Sequence, residues 1–90
     1  MEFCLNKFTD TIEKWYKDGR DCHVECPYVA FDEHDNPVIA FEFYETLAEG
    51  KFIATYPSEI VYEPYNAKTA LHAKLLFPDF RADARRPYGD

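Results

Sequence analysis

The apolar residues change period once, near residue 22, and that change divides the chain into a helix followed by strands. Before it, Leu5, Phe8, Ile12, Trp15 and Tyr16 recur at spacings of three and four, which predicts an amphipathic helix. Asp10 with Lys14 and Glu13 with Lys17 are acid-then-base pairs at i, i+4 on its other side. Asp18-Gly19 supplies the stop, with Gly19 as a left-handed cap. From Cys22 the period is two: His23, Glu25 and Pro27 alternate with Val24, Cys26 and Tyr28, and Val29 and Phe31 continue the apolar positions. Pro27 has no N–H to give a ladder, so this strand is expected at an edge or bulged there.

Glu33-His34-Asp35-Asn36-Pro37 is a turn by composition. Val38 to Glu45 then carries the clearest alternation, with Ile39, Phe41 and Phe43 on one face and Glu42 and Tyr44 on the other. That is the pattern of an antiparallel strand with one wet side. Ala48-Glu49-Gly50-Lys51 turns the chain into a third strand, Phe52 to Tyr56, and Pro57-Ser58 interrupts it. Ile60-Val61-Tyr62 reads as a short fourth strand that Pro64 ends. Asn66 is the N-cap of a second helix, Ala67 to Phe77, stopped by Pro78. The expected fold is α+β: an N-terminal helix, an antiparallel three- to four-stranded meander and a C-terminal helix. Both helices cover Ile39, Phe41 and Phe43, giving a two-layer sandwich. Residues 1–80 make one domain, and the polar stretch 81–90 is expected to be a mobile tail.

Ninety residues leave room for one small core, and eight Phe, seven Tyr and one Trp can fill it. No run of 18 apolar residues exists to span a membrane. Met1-Glu2-Phe3-Cys4 lacks the basic and apolar regions of a signal peptide. An odd count of three cysteines fits reduced thiols in a cytoplasm better than an extracellular disulfide scaffold.

The charge is concentrated in the strands. Between Asp21 and Glu63 there are ten acids against one base, Lys51, whereas the first twenty residues hold four of each. Such a surface repels nucleic-acid phosphate and attracts basic partners. The element order matches the layout of a double-stranded RNA-binding domain, but the start of the second helix offers only Lys68. The analogy is one of layout alone, and direct nucleic-acid binding is not expected.

Catalytic constellations are weak. Cys22-His23-x-x-Cys26 would need a fourth ligand to hold zinc, the nearest others being His34 and Cys4, and along a strand His23 points away from both cysteines. Cys22 or Cys26 could meet His72 in space, but no spacing argues that they do, and His72 reads as an ordinary histidine at or near the surface. Ser58 has no glycine elbow around it, and no Gly-rich loop exists to cradle phosphate. No metal or cofactor is expected, and the chain reads as a non-enzyme.

What remains is a set of carboxylates interleaved with tyrosines, a combination suited to protein interfaces. The expectation is a small acidic inhibitor or regulator that occludes a basic site on a partner protein, with a nucleic-acid-binding site as one candidate. Its contact residues would be Glu42, Tyr44, Glu45, Glu49, Tyr56, Glu59, Tyr62 and Glu63, with Tyr65 beside them. A nucleic-acid mimic of the kind made by phages, or an immunity protein, is the sharpest form of that expectation. Two alternatives stand beside it. One is an assembly subunit, monomer or homodimer, that pairs through its sheet edge, with Phe77 and Phe80 offering apolar area. The other is a small zinc- or thiol-dependent enzyme.

Overall fold

A computed structural model describes residues 4–47 and 52–82. Among them are helix α1 (Asn6–Lys17), strands β1 (Cys22–Val24), β2 (Tyr28–Phe31), β3 (Pro37–Leu47), β4 (Phe52–Ile53) and β5 (Glu59–Pro64), and helix α2 (Ala67–Leu76). The α+β order of helix, antiparallel sheet and helix is the expected one. The turn at 48–51, with Glu49, and the tail from residue 83 onward lie outside the described residues. No helix among those described is long and apolar enough to cross a membrane.

Strand β3 is the axis of the sheet, because all four other strands pair with it. Phe43 pairs with Val24 on one side and Glu59 on the other, so β1 and β5 lie on opposite edges of β3. Each outer ribbon is broken once, at a proline. From Cys22 to Tyr28 the chain advances six residues while β3 runs back five, from Glu45 to Ala40. One extra residue is therefore bulged out around Pro27. From Ile53 to Glu59 it advances six while β3 runs back three, from Thr46 to Phe43, with Pro57 in the larger bulge.

These bulges reverse side-chain parity. An odd number of extra residues moves every later side chain to the opposite face of the sheet. Val24 faces the helices beside Phe43, yet Tyr28 turns to the open face and Val29 takes the core position opposite Ile39. Simple alternation groups Val24, Cys26 and Tyr28 on one face, and the bulge is the reason it does not hold.

The helices cover one face. Leu5, Phe8 and Trp15 from the α1 region, Ala73 from α2 and Phe80 beyond it close over Val29, Ile39, Phe41, Phe43 and Val61. The Phe8 ring lies 4.6 Å from that of Phe41 and 5.7 Å from that of Phe43. Tyr16, grouped with the apolar stripe by spacing, is 85% exposed. One helical step of about 100° past Trp15 carries it off the buried face. Phe77 packs against the core and Phe80 is buried in it, so neither is the free apolar surface the sequence suggested.

The helix ends follow local chemistry. Gly19 has φ 68°, and Gly19 N–H and Arg20 N–H donate to the carbonyls of Tyr16 and Trp15, a Schellman closure. At α2, the Asn66 side chain accepts from Lys68 and Thr69 N–H while Thr69 Oγ1 accepts from Asn66 N–H. The start of α1 is different. Leu5 holds the N-cap position and has no polar atom to offer. Instead the carboxylate of Glu63, 3% exposed and 55 residues away on β5, accepts from Phe8 N–H at 2.8 Å.

Two outcomes follow from these ends. Glu63→Ala leaves Phe8 N–H buried without a partner, and should lower unfolding stability by about 1.5–3 kcal/mol in urea titration. A loss no larger than that of an ordinary surface glutamate would remove Glu63 from the capping role. Gly19→Ala meets nothing within 4 Å of the new Cβ, so its cost of about 1 kcal/mol should come from backbone conformation alone.

Candidate partner-binding hollow on the open sheet face

The parity switch at Pro27 assembles a polar site on the face away from the helices. Tyr28 stands opposite Ala40, one pleat from Glu42, and Tyr44 lies one pleat beyond Glu42 on β3. Both tyrosines aim their hydroxyls at the carboxylate between them. Tyr28 Oη donates to Glu42 Oε2 at 2.7 Å, and Tyr44 Oη donates to Oε1 at 2.8 Å. Glu25 and Cys26, from the bulge, complete a hollow of about 340 Å³. His23, paired across the strands with Tyr44, sets its ring edge-on to that tyrosine and its Nε2 3.6 Å from Glu25.

A carboxylate has room for about four hydrogen bonds, and the two tyrosines use two. The remaining capacity suits an ammonium or a guanidinium, which would lie against tyrosine rings able to receive a cation on their faces. The carboxylate is already oriented, so little rotamer freedom is lost when a cation docks. On the β5 side, Ile60 pairs with Glu42 and Tyr62 with Ala40, both exposed, and they give the hollow an apolar flank.

Of the eight residues singled out from sequence, Glu42, Tyr44 and Tyr62 come together on this face. Tyr56, 79% exposed, sits in the bulge between β4 and β5. Glu49 lies outside the described residues, and Tyr65, named beside the eight, is packed against the core. Glu45, Glu59 and Glu63 face the helix layer, where each holds a group of α1 or of the turn that follows it. Glu45 accepts from Arg20 Nη2 at 2.6 Å and Nε at 3.1 Å, while the Arg20 guanidinium lies 3.9 Å from the Trp15 ring centroid. Glu59 accepts from Trp15 Nε1 at 2.7 Å and from Lys14 Nζ at 3.1 Å. Glu63 caps α1. Tyr28 and Glu25, absent from the sequence-based set, belong to the hollow; a bulge at Pro27 was the only available signal, since it alone turns Tyr28 outward.

The cysteines do not gather either. Cys22 packs at the edge of the core, His23 points to the open face and Cys26 is exposed in the bulge. Among the described residues no group of three or more His, Cys, Asp or Glu is placed to hold a metal ion. His72 is 2% exposed, and the cysteine that meets it is Cys4, with Sγ 3.0 Å from Nδ1. Compared with known proteins, the chain matches no protein-family model, no curated protein and no solved structure.

The Glu59 contacts make the helix layer acid-sensitive. The Trp15 N–H first, and then Lys14 and Arg20, hold the Glu59 carboxyl below the usual carboxylate range. Its stabilising share is therefore complete above the ordinary glutamate value of about 4.3 and is lost as pH falls through the lower folded value. Glu59→Gln should melt below the wild type at pH 7, and the gap should close in acid. A gap independent of pH between 7 and 3 would exclude the carboxylate as its source.

Proposed function

We propose that this chain is a non-enzymatic binding protein that occludes a basic site on a partner protein. A lysine or arginine of the partner docks in the hollow against Glu42, the exposed Ile60 and Tyr62 add apolar contact, and Glu25 steers the approach. The observation that carries this reading is the Glu42 carboxylate held between two tyrosine hydroxyls on an uncovered sheet face. Its basis is a single prearranged carboxylate with Glu25 at the rim rather than a row of acids, because Glu45, Glu59 and Glu63 are engaged with α1 and its C-terminal turn. An inhibitor or regulator in a reducing cytoplasm is the setting this supports, on the odd count of three cysteines. A second copy is the alternative partner, favoured by the exposure of Leu47, Phe52 and Ile53 where β4 meets β3.

The test uses tagged wild-type and Glu42→Gln proteins as parallel baits at low salt, with washes of rising salt. The wild type should retain a basic protein that elutes as salt rises. The variant should recover it roughly tenfold less, the equivalent of one charge-assisted contact, at an unchanged melting temperature. Equal recovery by both baits, or retention indifferent to salt, would sink the proposal. Sedimentation at two protein concentrations separates the self-association alternative.

A further inference from the structure

The helix layer holds a nucleophile and a base that the open-face reading does not use. Cys4, immediately before the N-cap of α1, and His72, in the middle of α2, are 68 residues apart in sequence. Two groups of Cys4 converge on one atom of the ring. Its backbone N–H donates to His72 Nδ1 at 3.3 Å, and its Sγ lies 3.0 Å from the same nitrogen. An Nδ1 that accepts from an amide carries its lone pair there, so the basic side of the imidazole is turned toward the thiol. His72 is buried and held in place, while Cys4 is only partly covered. A fixed base within hydrogen-bond reach of a partly accessible thiol is the arrangement that activates sulfur. The helix N-terminus contributes little, because Glu63 already occupies it with a negative charge.

We propose that Cys4 is a modification site, at which His72 acts as base while the thiol exchanges with small-molecule disulfides. The Cys4 S–H proton passes to His72 Nδ1, whose hydrogen bond from the Cys4 amide gives way, as Sγ attacks one sulfur of the disulfide. The new S–S bond forms as the old one breaks, and the departing thiolate takes the proton from Nδ1 and leaves as a thiol. Cys4 is oxidised to a mixed disulfide and one sulfur of the reagent is reduced, so no further oxidant is needed.

The other two thiols are placed less favourably. Burial and then Asp21 push the Cys22 thiol up, with Glu45 adding to it. Cys26 is exposed as a residue, yet partial covering of its sulfur, followed by Asp79 and Glu25, pushes it up as well. Modification at Cys4 would also replace the Sγ–Nδ1 contact that joins the segment before α1 to α2, which gives the adduct a structural consequence on the helix side of the sheet.

The experiment exposes the intact chain to glutathione disulfide at neutral pH and follows each cysteine by peptide mass spectrometry. In the folded protein Cys4 should be modified at least about tenfold faster than Cys26, a conservative figure for assistance by a positioned base. In urea the three rates should converge. His72→Asn keeps an acceptor for the Cys4 amide but no base, and should slow Cys4 by a similar factor while leaving Cys26 unchanged. Cys26 reacting first in the folded wild type would overturn the proposal without reference to any variant. An unchanged Cys4 rate in a folded His72→Asn protein would overturn the role of the base.

Discussion

The carboxylate of Glu63 is the contact on which the rest of the arrangement depends. Helix α1 has Leu5 at its N-cap, a residue whose side chain cannot satisfy any of the first-turn amides, and an uncapped end against a core is costly. A strand on the other side of the chain supplies the missing acceptor, with a negative charge at the positive end of the helix. The same strand holds the helix a second time, through Glu59 to Trp15. Phe8 and Trp15 are seven residues apart, about 10 Å along a helix, and Glu59 and Glu63 are four apart, about 13 Å along a strand. The match lets one strand grip both halves of α1 and sets how the helix lies on the sheet. Arg20, bound to Glu45 and stacked on Trp15, ties down the chain leaving the helix.

Spending those carboxylates inside the helix layer changes what the acidic stretch means. A negative balance spread over the strands looks like a uniform docking surface, but the two faces of the sheet use their acids differently. On the covered face they are acceptors for α1 and its C-terminal turn. On the open face Glu42 is oriented by Tyr28 and Tyr44 and keeps capacity for a guest cation. The division comes from parity: odd positions of β3 from Ile39 to Glu45 face the helices, and Glu42 and Tyr44 face outward. The bulge at Pro27 then brings Tyr28 to the outward set, which builds a hollow around the half-buried Glu42.

Much of the fold was legible because its signals are local. The Leu5, Phe8, Ile12, Trp15 spacing, the Gly19 cap, the Asn66 cap, the 33–36 turn and the alternation along β3 each depend on a few neighbouring residues. Tyr16 misled because apolar character at a helix position does not show which side of a narrow stripe it falls on. The candidate site was less legible. Glu42, Tyr44 and Tyr62 could be named from alternation along β3 and β5, whereas Tyr28 and Glu25 could not, because their faces depend on a bulge whose size is set by cross-strand pairing.

The sequence by itself determined the two helices, the order of helix, strands and helix, and the identity of the core strand, since hydrophobic period and turn chemistry act over a few residues. Only the tertiary structure decided what each charged or reactive side chain does. Glu63 becomes a helix cap, Glu59 a tether and Cys4 the neighbour of His72 through contacts spanning 44 to 68 residues. No local pattern encodes such pairs, because a carboxylate or a thiol has the same side chain whether it meets water, a helix end or an imidazole. Its role is fixed by the partner that packing brings within about 3 Å.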